Sequence, residues 1–214
     1  IENISGEIKN IGYGDTKLIT EGHFSFQKGD RIALTGDSGS GKSTFVKMLT
    51  KFLHCEGIKI NGFDLKMIEN RALRNKIFYL AQNSYLLPFS IKENITLGNT
   101  VPEKKWKQLL QMEFMQKFLE SEQGLDMTVY ENGANLSGGD KQKIMLGRIF
   151  LQDPDVIILD ESFNAIDEKS GEDIITEILA LYADRIIIII SHSERYLKHC
   201  NKRVIIKNKK LMVQ

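Results

Sequence analysis

The segment "DRIALTGDSGSGKSTFVKML", residues 30–49, limits the fold more than any other. An apolar run feeds a glycine-rich loop, and Phe45, Val46, Met48, Leu49 and Phe52 then recur at helical spacing. Strand, loop and helix in direct succession imply an α/β sheet rather than an all-helical or all-β chain. Gly36, Gly41, Lys42 and Ser43 occupy the fixed positions of G-x-x-x-x-G-K-[ST]. Glycines let backbone N–H groups converge on phosphate oxygens, and the start of the following helix is electrically positive. The loop residues Gly36, Asp37, Ser38, Gly39, Ser40, Gly41, Lys42, Ser43 and Thr44 are therefore candidate phosphate ligands. Lys42 is placed to reach the terminal phosphates and the Ser43 hydroxyl to bind Mg²⁺. This predicts a site for a nucleoside triphosphate.

A second stretch completes such a site. "DVIILDE", residues 155–161, is an apolar strand ending in two carboxylates. Ligands in parallel sheets lie at the carboxyl edge, so Asp160 is a candidate Mg²⁺ holder and Glu161 a candidate base for water. "RIIIIIS", residues 185–191, is far shorter than the roughly 20 residues of a membrane span and reads as a buried parallel strand. Upstream, "GEIKNIGYG" and "GHFSF" read as antiparallel strands joined by turns. Residues 103–122 read as one helix with Trp106, Leu109, Leu110, Phe114 and Phe118 on a face that is core or partner-binding. A helix is expected near residues 171–182. The chain shows no repeats, long linkers or low-complexity tracts.

Composition narrows the function classes. With 29 Lys+Arg against 28 Asp+Glu in 214 residues, no basic stripe favours a nucleic acid. Cys55 and Cys200 lack metal-type spacing and read as free thiols, which suits a soluble, cytoplasmic chain. The first residue is Ile1 rather than Met, as expected of a segment of something longer.

A second phosphate-type turn remains, "LSGGD" at residues 136–140, running through "KQKIMLGRIFLQDPDVIILDE". It resembles the signature segment of the ABC ATPases, which usually reads LSGGQ. Further residues agree in family order. Gln82 matches the Q-loop glutamine, "NAID" at residues 164–167 is similar to the D-loop, His192 matches the switch histidine, and Tyr13 fits the aromatic residue that stacks on adenine. The resemblance covers essentially the whole chain. It implies one ABC ATPase domain over residues 1–214. Its ATP-binding core and antiparallel β-lobe fall at about 1–82 and 146–214, and a helical signature lobe at about 83–145. The implied fold is α/β, a P-loop NTPase core with a mainly parallel sheet.

It also implies why one domain has two phosphate turns. Two copies meet head to tail, and Ser137, Gly138 and Gly139 of one cap the γ-phosphate held by the other's loop. Lys42, Glu161 and His192 are the implied catalytic residues, Ser43, Gln82 and Asp160 the metal-binding ones, and Asp167 communicates across the dimer. ATP and Mg²⁺ are the implied ligands. "SIKENITLG", residues 90–98, resembles exporters, as does "TVYENGANLSGG" from residue 128, with Glu131 and Gly133 matching. Tyr130 and Asn132 depart from that exporter stretch, and "ESFNAID" departs from the commoner wording while keeping Glu161, Ala165 and Asp167. Exporter ATPases are usually fused behind membrane helices, so a transmembrane partner upstream and a place on the cytoplasmic face of the membrane are implied. Residues 82–131 would then carry the surface that meets that partner. A separate importer subunit, a DNA-maintenance ATPase of the same superfamily and a nucleotide-gated binding module are the alternatives. Asp140 stands where the family has Gln, bringing an acid near the docking triphosphate. Weaker ATP-driven dimerisation is expected from it, with Lys141 and Lys143 as the offsetting cations.

Overall fold

A computed structural model describes residues 1–13, 16–82, 84–120 and 122–214. Gly14 at the end of the first expected strand, Asn83 beside Gln82 and Ser121 in the expected long helix lie outside the described residues. The strands are β1 (Asn3–Tyr13), β2 (Thr16–Gln27), β3 (Arg31–Thr35), β4 (Ile58–Ile60), β5 (Phe63–Asp64), β6 (Ile77–Leu80), β7 (Val156–Asp160), β8 (Ile186–Ile190), β9 (Lys202–Lys207) and β10 (Lys210–Val213). The helices are α1 (Lys42–Leu49), α2 (Asn70–Arg74), α3 (Ile91–Thr96), α4 (Glu103–Leu110), α5 (Glu113–Leu119), α6 (Gly138–Gln152), α7 (Glu168–Leu181) and α8 (Glu194–Leu197). Contacts divide the chain into two units. The first holds Ile1–Tyr79, Pro154–Glu161 and Tyr182–Gln214, the second Leu80–Asp153 and Ser162–Leu181.

The sheet of the first unit has the order β5-β4-β1-β2-β10-β9-β3-β8-β7-β6. β5, β4, β1 and β2 pair antiparallel, whereas β9, β3, β8 and β7 pair parallel. The expected antiparallel lobe is thus continuous with the parallel core in one mixed sheet. The isoleucine run of β8 is buried throughout, as a strand covered on both faces must be. Each buried isoleucine there contributes about 1.5–3 kcal/mol relative to an exposed one. β1 alternates instead, burying Ile4 and Ile8 while Glu7 and Lys9 face solvent. Phe24 and Phe26 of β2 meet Phe45 of α1 edge-on, which seats the helix after the glycine loop on the sheet.

In the second unit, the long helix expected over residues 103–122 is two. α4 ends at Leu110, Met112 is extended (φ −71°, ψ 137°), and α5 begins at Glu113. The break has a packing reason. Stepping by four from Trp106 through Leu110, Phe114 and Phe118 drifts about 40° each time on a straight helix, so the stripe would wind off its core. Restarting at Met112 lets Leu109, Phe114, Met115 and Phe118 all be buried. Gln116 Nε2 donates to the Leu110 carbonyl at 2.7 Å, satisfying an acceptor at the end of α4. α6 runs through residue 145, where the expected lobe stops, and α7 also groups with the second unit.

Within "SIKENI", Ser90 and Glu93 form a capping box on α3. Asn94 is fully buried; its side chain accepts from Leu87 N at 2.8 Å and donates to the Leu87 and Ser90 carbonyls at 2.9 and 3.0 Å. Its own carbonyl accepts from Arg148 Nε of α6 at 2.9 Å. Asn94→Ala should therefore cost about 2–4 kcal/mol by leaving buried backbone groups unpaired. A denaturant midpoint unchanged from the parent, with unchanged hydrogen exchange over residues 87–90, would contradict that expectation.

Candidate active site

β3 ends at Thr35 and Gly36 turns with φ 147°. A Cβ there would stand 2.4 Å from the Ile206 carbonyl oxygen, so the position admits only glycine. Lys42 Nζ donates to the carbonyls of Gly36 and Asp37 at 2.7 and 3.0 Å, closing the loop over its own ammonium. Two of the three ammonium donors are used in this way. Gly41 caps α1 with φ 110° and no side-chain hydrogen bond, leaving the first helical amides to an outside acceptor. Ser40 Oγ is buried and has no hydrogen-bond partner among the described residues. Asp37, Ser38, Gly39 and Ser43 are exposed, while Thr44 is buried. Uncapped amides, a buried hydroxyl in need of a partner and a lysine at the loop's centre suit a triphosphate.

β3, β8 and β7 lie side by side in parallel, with Ile32 and Ile158 both level with Ile188. Their carboxyl ends therefore share one edge. There β7 delivers Asp160 and Glu161, and β8 leads through Ser191 to His192. Asp160 is buried and accepts from the Tyr79 hydroxyl at 3.1 Å. Burial pushes its pKa up and Glu161 adds to this, against the Tyr79 hydrogen bond and the charge of Lys42. The same burial and the nearby Asp160 push the Tyr79 phenol up. Glu161 is also buried and takes φ 50°, a conformation that costs a residue with a side chain about 1–2 kcal/mol. Its amide donates to the Ile190 carbonyl at 2.9 Å. Its Oε1 lies 3.5 Å from Nε2 of the largely exposed His192. Ser43 and Asp160 offer the hard oxygen donors that Mg²⁺ prefers. No group of three or more His, Cys, Asp or Glu among the described residues could hold a metal ion. Tyr13 is half exposed, with Lys47 Nζ 5.8 Å from its ring centroid.

The second unit carries the other expected residues. Gln82 is exposed in a turn two residues past β6. Ser137 and Gly138 are exposed at the start of α6, where Ser137 Oγ accepts from Asp140 N at 3.1 Å. A Cβ on Gly138 would come 3.0 Å from Ala165 Cβ, and one on Gly139 3.0 Å from the Ala165 carbonyl oxygen. Gln142 Oε1 accepts from Ala165 N at 2.9 Å, so the signature and the "NAID" turn are held together. Asp167 accepts from Ser170 N at 2.9 Å at the start of α7, and the Ser170 hydrogen bonds hold its carboxyl below the usual range.

The offset expected for Asp140 needs correction. Its carboxylate is paired with Lys117 of α5, not with Lys141, whose stem lies against Gly133. Lys143 contributes by charge. No sequence pattern points to Tyr79 or Lys117; only through-space geometry picks them out.

The sequence profile described as ABC transporter matches residues 19–164. The chain belongs to the ABC transporter family. It is 35% identical over 206 residues to a Staphylococcus aureus protein named for multidrug export, ATP-binding/permease, covering 93% of this chain and 36% of that protein. A Haemophilus influenzae ABC transporter ATP-binding/permease protein is 32% identical over 212 residues, covering 97% of this chain and 38% of that one. In structure the chain is similar to a bacterial Atm1-family ABC exporter solved with ATP bound, at a TM-score of 0.90 and 26% identity, covering 99% of this chain and 38% of that one. The ABC chain thus spans little over a third of these relatives, and its likeness is to the ATP-binding domains of exporters. No helix among the described residues is long and apolar enough to cross a membrane.

A raised carboxyl pKa gives stability that is present below the ordinary aspartate range and lost as pH rises through the raised value. Asp160→Asn, which carries no charge, should therefore unfold at a higher temperature than the parent at pH 7, by roughly 2–4 °C. The gain should shrink on acidification through the carboxyl range, as thermal scans at both pH values will report.

Proposed function

We propose that this chain binds ATP with Mg²⁺, hydrolyses it to ADP and phosphate, and so powers an ABC exporter. The observation that carries the reading is the position of Glu161, His192 and Asp160 on neighbouring strand ends of the sheet that also delivers the Lys42 loop. The ATP-bound exporter that this chain resembles supports the choice of nucleotide.

The amides of residues 36–44 and the Lys42 ammonium grip the phosphates. Ser40 Oγ gains in them the acceptor it lacks, and Tyr13 offers its exposed face to adenine. Ser43 and Asp160 would hold Mg²⁺, which would neutralise charge on the phosphate oxygens. Glu161 takes the proton of the attacking water, and His192 steadies that water and the γ-phosphate. The backbone of Glu161 turns the carboxylate out of line with the strand, and its bond to Ile190 fixes the turn.

Ser137, Gly138 and Gly139 stand outward on the second unit with the positive start of α6 behind them. Their partner in this reading is the nucleotide of a second copy, met head to tail, with Asp167 linking the two sites. Hydrolysis removes the shared γ-phosphate contacts and lets the copies part. Tyr85, Leu87 and Phe89 expose 69%, 41% and 51% of their surface, an apolar patch suited to the membrane helices of a transporter. Relatives named ATP-binding/permease support helices on the same chain. The cytoplasmic face is the place this reading gives the domain.

Glu161→Gln should keep ATP binding while slowing phosphate release by about 10²–10⁴-fold, the usual worth of a general base. In ATP it should elute from a size-exclusion column as an associated pair. Full turnover by that variant removes Glu161 from the mechanism.

A further inference from the structure

The family's signature has an amide where this chain has Asp140, and an unshielded carboxylate there would repel the very triphosphate that the turn must meet. The structure shows how it is shielded. Lys117 Nζ donates to both oxygens of Asp140, at 2.8 and 2.9 Å. Oδ2 also accepts from the Ser137 hydroxyl at 2.7 Å, while Ser137 Oγ takes the Asp140 amide. The Asp140 side chain is 11% exposed and that of Lys117 64%, so the acid is covered and the cation faces solvent. Burial raises the Asp140 pKa, but the Lys117 and Ser137 hydrogen bonds with the charges of Lys117 and Lys143 hold it below the usual range. The carboxylate is therefore ionised and needs its cation. α5 is fixed on α6 by Phe114 against Phe150, with ring centroids 5.8 Å apart, so Lys117 is delivered by a packed element.

We propose that Lys117 is a positioning residue of the signature. Its ammonium cancels the charge of Asp140 and fixes the carboxylate that holds the Ser137 hydroxyl, so that the turn meets a second copy's triphosphate with the backbone amides of Gly138 and Gly139 as its donors. The pair thus supplies the acceptor and donor that a glutamine amide offers alone. This rests on the head-to-tail reading of the signature.

The test is steady-state ATP turnover of the intact protein. Lys117→Met should raise the KM for ATP by about tenfold, equivalent to one decade in an equilibrium constant. The increase should shrink in high salt, because repulsion between an exposed acid and a triphosphate is screened, whereas a defect of helix packing is not. Lys117→Arg should keep the parent KM, and adding Asp140→Gln to Lys117→Met should restore it. A parent KM in Lys117→Met, an elevated KM that ignores salt, or a double variant no better than Lys117→Met would each overturn the inference. Should Lys117→Met not fold, the double variant decides, because it leaves no unpaired acid and must then fold and show the parent KM. If the parent does not turn over ATP, and Glu161→Gln does not associate in ATP, the head-to-tail reading falls and takes this inference with it. A working parent beside an indifferent Lys117→Met sinks the inference alone.

Discussion

The chemistry proposed for the first unit depends on the parallel register of three strands. β3, β8 and β7 are bonded level with one another, so the residues beyond each strand emerge at the same edge. One supplies the glycine-rich loop, one the acid pair and one the histidine. A slip by one residue would turn alternate side chains to the other face and separate these groups. The register is kept by burial on both faces, and this is why β8 can be isoleucine throughout. It also explains why a strained Glu161 is tolerated. The backbone bond from Glu161 to Ile190 ties the turn to the end of a buried strand, so the strain is held by the sheet rather than by the loop.

The task proposed for the second unit is different, presenting a turn to a second copy. Small residues do this by letting backbones approach. Ala165 sits so close to Gly138 and Gly139 that side chains there would have to displace it. Gln142 then bonds the Ala165 amide, so the signature turn and the start of α7 form one piece. Asp167 is two residues beyond Ala165, so few residues separate it from the signature turn. That is a short mechanical link between the residue proposed to sense the second copy and the residues proposed to grip its nucleotide.

How much of this was legible in the sequence depends on the range of the interactions. The strand–loop–helix of residues 30–49, the strand before Asp160 and the isoleucine strand are local patterns, and each appears where it was expected. The break at Met112 was not legible. The apolar stripe fits one helix locally, and only the shape of the surrounding core favours two. The unit boundary is likewise set by packing, so α7 groups with the helices although it lies between two strands of the sheet. Tyr79 sits in an ordinary apolar strand, and nothing in "IFYL" announces a hydroxyl reaching Asp160. The continuity of the antiparallel strands with the parallel ones is set by β10 pairing with both β2 and β9, a long-range choice without a local signal.

Position 140 joins these themes, since two demands conflict there. An acid in the first turn of a helix is favourable, because it meets the positive end of the dipole and caps free amides. At a turn proposed to hold an anion, the same acid opposes the ligand. A glutamine satisfies both demands weakly, being polar and uncharged. Aspartate satisfies the first strongly and fails the second unless a cation accompanies it. The hydrogen-bonded cation is not on α6 close by, where Lys141 lies across Gly133 and Lys143 contributes by charge. It comes from α5, twenty-three positions earlier in the chain. The departure in the signature and the lysine on another helix are therefore one feature, and the interruption at Met112 that starts α5 afresh is part of what brings the two together.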